Sequence, residues 1–183
     1  MILWLTDAQA TTIIAHARAE APHEACGLIG GVGYQAQQVI PIPNIAADPR
    51  RHYEMDPRAL TNTLFALEHG GKSLLAFYHS HPFGDPIPSP TDVAQAYYPD
   101  TVYLIVGLRE PDARLAAWHI HNGQVDPVTL HIGAQPPDMP PDSSLSRAQT
   151  IAIIISALLA LILMLTLSLS LLPPAPPIPS SLP

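Results

Sequence analysis

The sequence predicts an α/β domain built on a single mixed sheet flanked by about three helices, followed by one C-terminal helix that spans a membrane. Three observations point there. Strand-like apolar runs alternate with helical patterns over residues 1–133. Residues 134–147, "AQPPDMPPDSSLSR", break that periodicity with prolines and polar side chains, as an extended linker does. Residues 150–172, "TIAIIISALLALILMLTLSLSLL", run 23 positions without a charge. The expected organisation is a domain over 1–133, a linker over 134–147, a membrane helix over 148–172 and a short proline-rich tail over 173–183.

The elements follow in chain order. "MILWL" reads as a short strand. Thr6 and Asp7 can cap a helix running to about Ala21, with Ile13, Ile14 and Ala17 on one face. "CGLIGG" is a strand ending in glycines. "QQVIPIPN" is another, placed at an edge by its prolines. In "MDPRALTNTLFALEHGG", Asp56 is the N-cap, Pro57 the first helical residue and Gly70 the stop; Leu60, Leu64 and Leu67 form the apolar face. "SLLAFYHS" and "TVYLIVGL" are uniformly apolar, as central strands are. "ARLAAWHI" and "QVDPVTLHI" flank "HNG", a hairpin signal. The 23-residue run would be about 34 Å long as a helix, enough for a hydrocarbon core of about 30 Å. A buried core helix is the other reading, but such helices are shorter and keep a polar face.

Composition narrows the function. Charged residues make up 13% of the chain, a low share explained by the uncharged C-terminal part. The net charge is -7, and the one lysine and seven arginines form no cluster. Nucleic-acid binding through a basic surface is therefore not expected. The N-terminus lacks the basic start and uninterrupted apolar core of a signal peptide. Cys26 is the single cysteine, so no intrachain disulfide forms and a Cys-x-x-Cys zinc deaminase is excluded. Cys26 itself reads as a small buried strand residue. Gly30, Gly31 and Gly33 read as a turn between strands, since no helix follows to make a phosphate loop.

The densest chemistry lies in "YHSHPFGDPIPSPTD", residues 78–92. On a strand, His79 and His81 face the same side, which makes them half of a metal site. "PFGDPIP" is a loop able to fold the chain back. "SPTD" starts a helix, with Ser89 as N-cap, Pro90 next and Asp92 in the first turn. Asp92 is a candidate third ligand. The same Ser-x-x-Asp also reads as a capping box that needs no metal. A second pair with the same spacing, His119 and His121, reads as strand residues near a turn.

The stretch "HSHPFGDPIPSPTD" resembles the His-x-His-Pro…Ser-x-x-Asp motif of the JAMM, or MPN-plus, metalloproteases. "PHEACGLIGG" is similar to the family's upstream strand that carries a catalytic glutamate. "IPNIAADPRRHYEMDPRAL" and "VYLIVGLREPDARLAAWHIHNGQV" resemble the short prokaryotic members. The resemblance spans residues 1 to about 132 and implies an MPN-type fold. It implies one zinc per chain on His79, His81 and Asp92, with a water in the open fourth position. It implies Glu24 as proton acceptor and donor, and Ser89 as a hydrogen-bond donor to the oxyanion. The substrate implied is a peptide or isopeptide bond at the C-terminus of a ubiquitin-like or sulfur-carrier protein. A Gly-Gly tail could dock by strand addition near "RHYEM".

Two other functions fit the residues. One is a non-catalytic, membrane-anchored MPN-type scaffold, although such relatives usually lack the ligands. The other is a zinc hydrolase of a different bond, because specificity lies in loops rather than in the ligand set. The expected membrane partner is the bilayer, through residues 148–172. Arg147 before the span, with no basic residue after it, favours a single-pass protein whose domain is cytoplasmic.

Overall fold

The computed structural model of the chain describes residues 1–109, 112–137 and 147–170. Most of the expected linker (138–146) and the tail (171–183) lie outside the described residues. The chain divides into two units, Met1–Asp138 and Met139–Pro183.

The first unit runs β1 (Ile2–Leu5), α1 (Asp7–Glu20), β2 (Cys26–Val32), β3 (Gln35–Ile42), α2 (Pro57–His69), β4 (Ser73–His81), α3 (Pro90–Ala94), β5 (Val102–Gly107), β6 (Arg114–His121) and β7 (Gln124–Ile132). The local signals act as expected. Thr6 and Gln9 cap α1 reciprocally, each side chain satisfying the other's backbone N–H at 3.2 and 2.8 Å. Asp56 caps α2 by accepting from the Ala59 N–H at 2.7 Å. Asn122 and Gly123 turn the β6–β7 hairpin with φ of 49° and 77°, the left-handed pair that a two-residue turn requires.

The strands form one mixed sheet, but it is not an open layer. Their order is β1-β3-β2-β4-β5-β6-β7, closed into a barrel. The closing strand is β1. It runs parallel to β7 from Ile2↔Thr129 to Leu5↔Ile132 and meets β3 at Trp4↔Gln35. The apolar pattern of "MILWL" shows a buried strand but not its two partners, so the expectation of a simple layered sheet is corrected here. β3 keeps much of its edge character, since its ladder to β1 among the described residues is that single pair while it pairs with β2 along its length.

Alternation divides the core by sheet face. Leu5, Ile29, Ala76, Tyr78, Leu104 and Ala117 cluster on one face with Ile13 and Ala17 of α1. Cys26, Leu28, Phe77, Tyr103 and Ile120 cluster on the other, with Leu60 and Leu64 of α2 and Val93 of α3 packed against them. The second face carries the chemistry. On the first face Gly27 makes room for Tyr78: a Cβ there would lie 2.4 Å from the Ile40 carbonyl and 2.5 Å from the Tyr78 ring.

The second unit contains α4, Arg147–Ser170. Its segment Ile151–Ser168 has a mean hydropathy of 2.8 and no residue buried within the structure. It is long and apolar enough to cross a membrane.

Candidate active site

β4 carries His79 and His81 at its C-terminal end, on the same face as Phe77. The β2–β4 ladder pairs Cys26 with His79. Two further bonds extend it past the start of β2: the Ser80 N–H donates to the Ala25 carbonyl at 3.0 Å, and the Ala25 N–H to the Ser80 hydroxyl at 2.9 Å. One more step puts Glu24 opposite His81. Glu24 thus lies just before β2 rather than within it. Its backbone is held on both sides, donating to the Pro49 carbonyl at 2.7 Å and accepting from Asn44 Nδ2 at 2.9 Å.

The loop after β4 folds back because several groups hold it. The Asp85 carbonyl accepts from His81 Nδ1 at 2.9 Å. The Asp85 carboxylate pairs with Arg109 at 3.1 Å and with Arg114. Trp118 Nε1 donates to the Pro86 carbonyl at 2.8 Å. Gly107 sits opposite His81 in the ladder, and a Cβ there would come within 2.6 Å of Pro86. The loop therefore crosses the sheet where one strand has no side chain.

The loop delivers α3, and here both readings of Ser-x-x-Asp hold at once. Ser89 Oγ accepts from the Asp92 N–H at 3.2 Å, and the Ser89 N–H donates to Asp92 Oδ2 at 2.6 Å, a complete capping box. The same carboxylate reaches both histidines. Asp92 Oδ1 lies 3.4 Å from His79 Nε2, and Oδ2 lies 3.3 Å from His81 Nε2. The two Nε2 atoms are 3.1 Å apart. The cap thus orients the carboxylate toward the imidazoles. The Ser89 cap bond uses an oxygen lone pair and leaves the hydroxyl hydrogen for another acceptor.

These distances bear on a metal. A tetrahedral ion bonded at about 2.0–2.1 Å holds its ligands about 3.3 Å apart. The two Nε2 atoms, and each of them with its nearer Asp92 oxygen, lie close to that spacing, with His79 and Asp92 only 1% and 8% exposed. Two imidazoles and a carboxylate are a donor set that zinc takes, and one corner is left for water or substrate. His81 is also turned correctly: a carbonyl only accepts, so Nδ1 carries the hydrogen and Nε2 offers its lone pair. His79 Nδ1 has no hydrogen-bond partner among the described residues. Its ring is held instead by Tyr53, stacked at 4.4 Å with 22° between planes.

Without a metal, the electrostatics tie the three groups to one another. For Asp92, burial works against ionisation, but the bonds from His79 and His81 prevail and hold the carboxyl well below its usual range. Burial lowers the pKa of His79, keeping its ring neutral as a ligand must be. Burial also acts on His81, but Asp92 and the Asp85 carbonyl outweigh it and raise the value. Burial pushes Glu24 up to about 7, with His81 opposing and Asp92 reinforcing the rise. Cys26 is fully buried and its thiol is pushed up to about 12 by burial, so it is no nucleophile.

All five expected site residues come to one end of β4. The sequence reading missed their supports: Tyr53 as a stacking partner, Asp85 with its two arginines, and Trp118 as a clamp on the loop. Isolated aromatic and charged residues carry no spacing signal that could have revealed them. A cleft of about 750 Å³ is lined by Tyr53, the residue stacked on His79, and by Phe77, Thr91, Tyr97, Tyr98 and Tyr103 among others; none of the five site residues lines it. Glu24 lines a second cleft of about 390 Å³, with His16, Glu20 and Asn44.

Comparison with known proteins agrees with this geometry. Residues 6–132 match the family described as prokaryotic homologs of the JAB domain. The chain is 42% identical over 113 residues to the desampylase of Haloferax volcanii, covering 58% of this chain and 78% of that one. It is 46% identical over 93 residues to a probable TtuB-protein conjugate cleaving protease of Thermus thermophilus, covering 51% and 62%. It is 32% identical over 123 residues to the CysO-cysteine peptidase of Mycobacterium tuberculosis, covering 64% and 84%. Among solved structures, a Desulfitobacterium hafniense protein superposes with a TM-score of 0.66 at 32% identity, over 75% of this chain and 96% of its own. The match takes in every strand but β1, all three helices of the first unit and the whole His-His-Asp cluster; this chain belongs to the prokaryotic JAB-domain family, the JAMM/MPN lineage of peptidases.

Proposed function

We propose that the chain is a zinc-dependent peptidase that cleaves after the C-terminus of a ubiquitin-like or sulfur-carrier protein. The observation that carries this is the convergence of His79, His81 and Asp92 at contact distances of 3.1–3.4 Å, with Glu24 opposite His81. The relatives' names supply the substrate class: a desampylase, a TtuB-conjugate protease and a CysO-cysteine peptidase.

His79, His81 and Asp92 would hold the metal. Zinc bound there supplies a Lewis acid that polarises a carbonyl and brings the pKa of water toward about 7. Glu24 takes the proton of the attacking water and passes it to the leaving amine. Burial suits it to hold a transferred proton, since it raises the carboxyl's proton affinity. The Ser89 hydroxyl donates to the oxyanion of the tetrahedral intermediate. The segment 51–55, whose Tyr53 and Met55 line the larger cleft, positions the extended substrate tail.

Helix α4 crosses a membrane in this reading, with the peptidase domain cytoplasmic and Arg147 on its side of the bilayer. Substrates would then include conjugates held at that membrane. Carbonate-resistant membrane association, lost on deleting residues 147–183, is the expected result.

The activity test uses the full chain in detergent, loaded with zinc. Its substrate is a ubiquitin-like protein joined through its terminal glycine to a reporter peptide. Cleavage at that glycine is expected, abolished by chelation and by Glu24→Gln with zinc still bound. A folded, zinc-loaded chain that cleaves no such conjugate would leave the scaffold reading in its place.

A further inference from the structure

The β6–β7 hairpin holds a second group of metal-ligating side chains that the peptidase site does not use. His119 and His121 alternate onto one face of β6, and Asp126 on β7 is the ladder partner of His119. One ligand atom from each of the three lies within 4.8 Å of the others. The face is the opposite one from the peptidase site. His119 follows Leu115 and Ala117, which pack in the α1-side cluster, whereas His79 shares its face with Phe77 on the α2 side. Along the strands, His119 pairs with Val102, which pairs with Ala76, five positions before His81. The two groups therefore share no ligand and no face.

Three features look prepared for a cation. His119 Nε2 contacts the Pro99 carbonyl, which only accepts. The hydrogen must sit on Nε2, so Nδ1 keeps its lone pair, the arrangement that outer partners impose on ligating histidines. His121 Nδ1 is buried and without a hydrogen-bond partner among the described residues. That nitrogen lies 3.9 Å from Asp126 Oδ2, too far for a hydrogen bond but within the span of two metal–ligand bonds of about 2.0–2.2 Å. The two imidazoles stack at 4.6 Å with 26° between planes.

We propose that His119, His121 and Asp126 form a second, structural site for a divalent transition-metal ion, with zinc the cation its donor set favours. Bound there, the ion ties β6 to β7. Through His119 and the Pro99 carbonyl it also ties the hairpin to the segment between α3 and β5. That segment carries Tyr97 and Tyr98 of the larger cleft. Zinc at this site therefore steadies one wall of the substrate cleft from the far side of the sheet.

Zinc stoichiometry tests this on the full chain in detergent, using zinc alone as the probe. Two tightly held ions per chain are expected in wild type. One is expected in His121→Ala and one in Asp126→Asn, which is exposed and nearly isosteric and so spares the fold. A wild-type stoichiometry of one overturns the site. So do two ions that persist in both variants. Loss in His121→Ala alone removes Asp126 from the ligand set and the three-ligand site with it.

Discussion

The chain places the same His-x-His spacing on two strands and completes it in two different ways. His79 and His81 meet an aspartate delivered by a separate helix across a proline loop, and Glu24 arrives from a third segment. His119 and His121 meet Asp126 across a two-residue turn. The first group depends on tertiary structure at every point: the loop held by Asp85, the gap at Gly107, and the ring of Tyr53. The second is complete within one hairpin. Spacing on a strand decides only that two imidazoles share a face. What surrounds them decides burial, tautomer and task.

That contrast fails if the first group is not the seat of the chemistry. His81→Ala is expected to lose all measurable peptidase activity and one bound zinc, read by turnover and metal content. Glu24→Gln should lower kcat by about 100- to 10,000-fold, the usual value of a positioned proton carrier, while zinc stays bound. Equal metal loss in both variants would place Glu24 in the ligand set instead.

Ser89 separates capping from catalysis. Ser89→Ala should reduce kcat by about 100- to 1,000-fold if the hydroxyl serves the oxyanion. The lost cap should cost about 1 kcal/mol of stability. A stability loss with unchanged kcat would leave only the cap.

Gly107→Ala tests tertiary dependence directly. The added methyl meets Pro86 and should cost about 1–3 kcal/mol. Zinc affinity at the first group should fall as the loop shifts, while the hairpin group, held by local turn geometry, keeps its ion. A parallel fall at both would mean that the hairpin group depends on the same tertiary contacts.

The smallest effect is on pH dependence in the metal-free chain. Glu24 titrates near 7 in the folded state, against an ordinary value of 4.5. The fold favours its protonated form. Stability should therefore decline as pH rises from about 4.5 to 7 and level off beyond. Glu24→Gln should flatten that decline in a series of thermal melts, and an unchanged slope would mean that Glu24 is not buried. Asp92 acts in the opposite sense. Its folded value is depressed, so its contribution is present above its ordinary range and is lost as pH falls through and below it.

Much was legible in the sequence because its signals are local. Thr6, Asp56, Gly70 and Ser89 mark helix ends through bonds to their own neighbours, and Pro57 marks one through its fixed φ. Asn122 and Gly123 mark a turn through their backbone freedom. The apolar run of α4 states its length and character by itself. The order of His79, His81, Ser89 and Asp92 was enough to suggest the metal group and its family. Barrel closure was not legible. Four apolar residues at the N-terminus do not reveal that β7, more than a hundred residues later, is their partner. Tyr53, Asp85, Gly107 and Trp118 were equally silent, because each works through contacts with a distant segment. Residue type and spacing thus settled which groups exist and which way each faces. Only the folded chain decided which groups meet, since burial and hydrogen bonding act between surfaces that sequence distance does not measure.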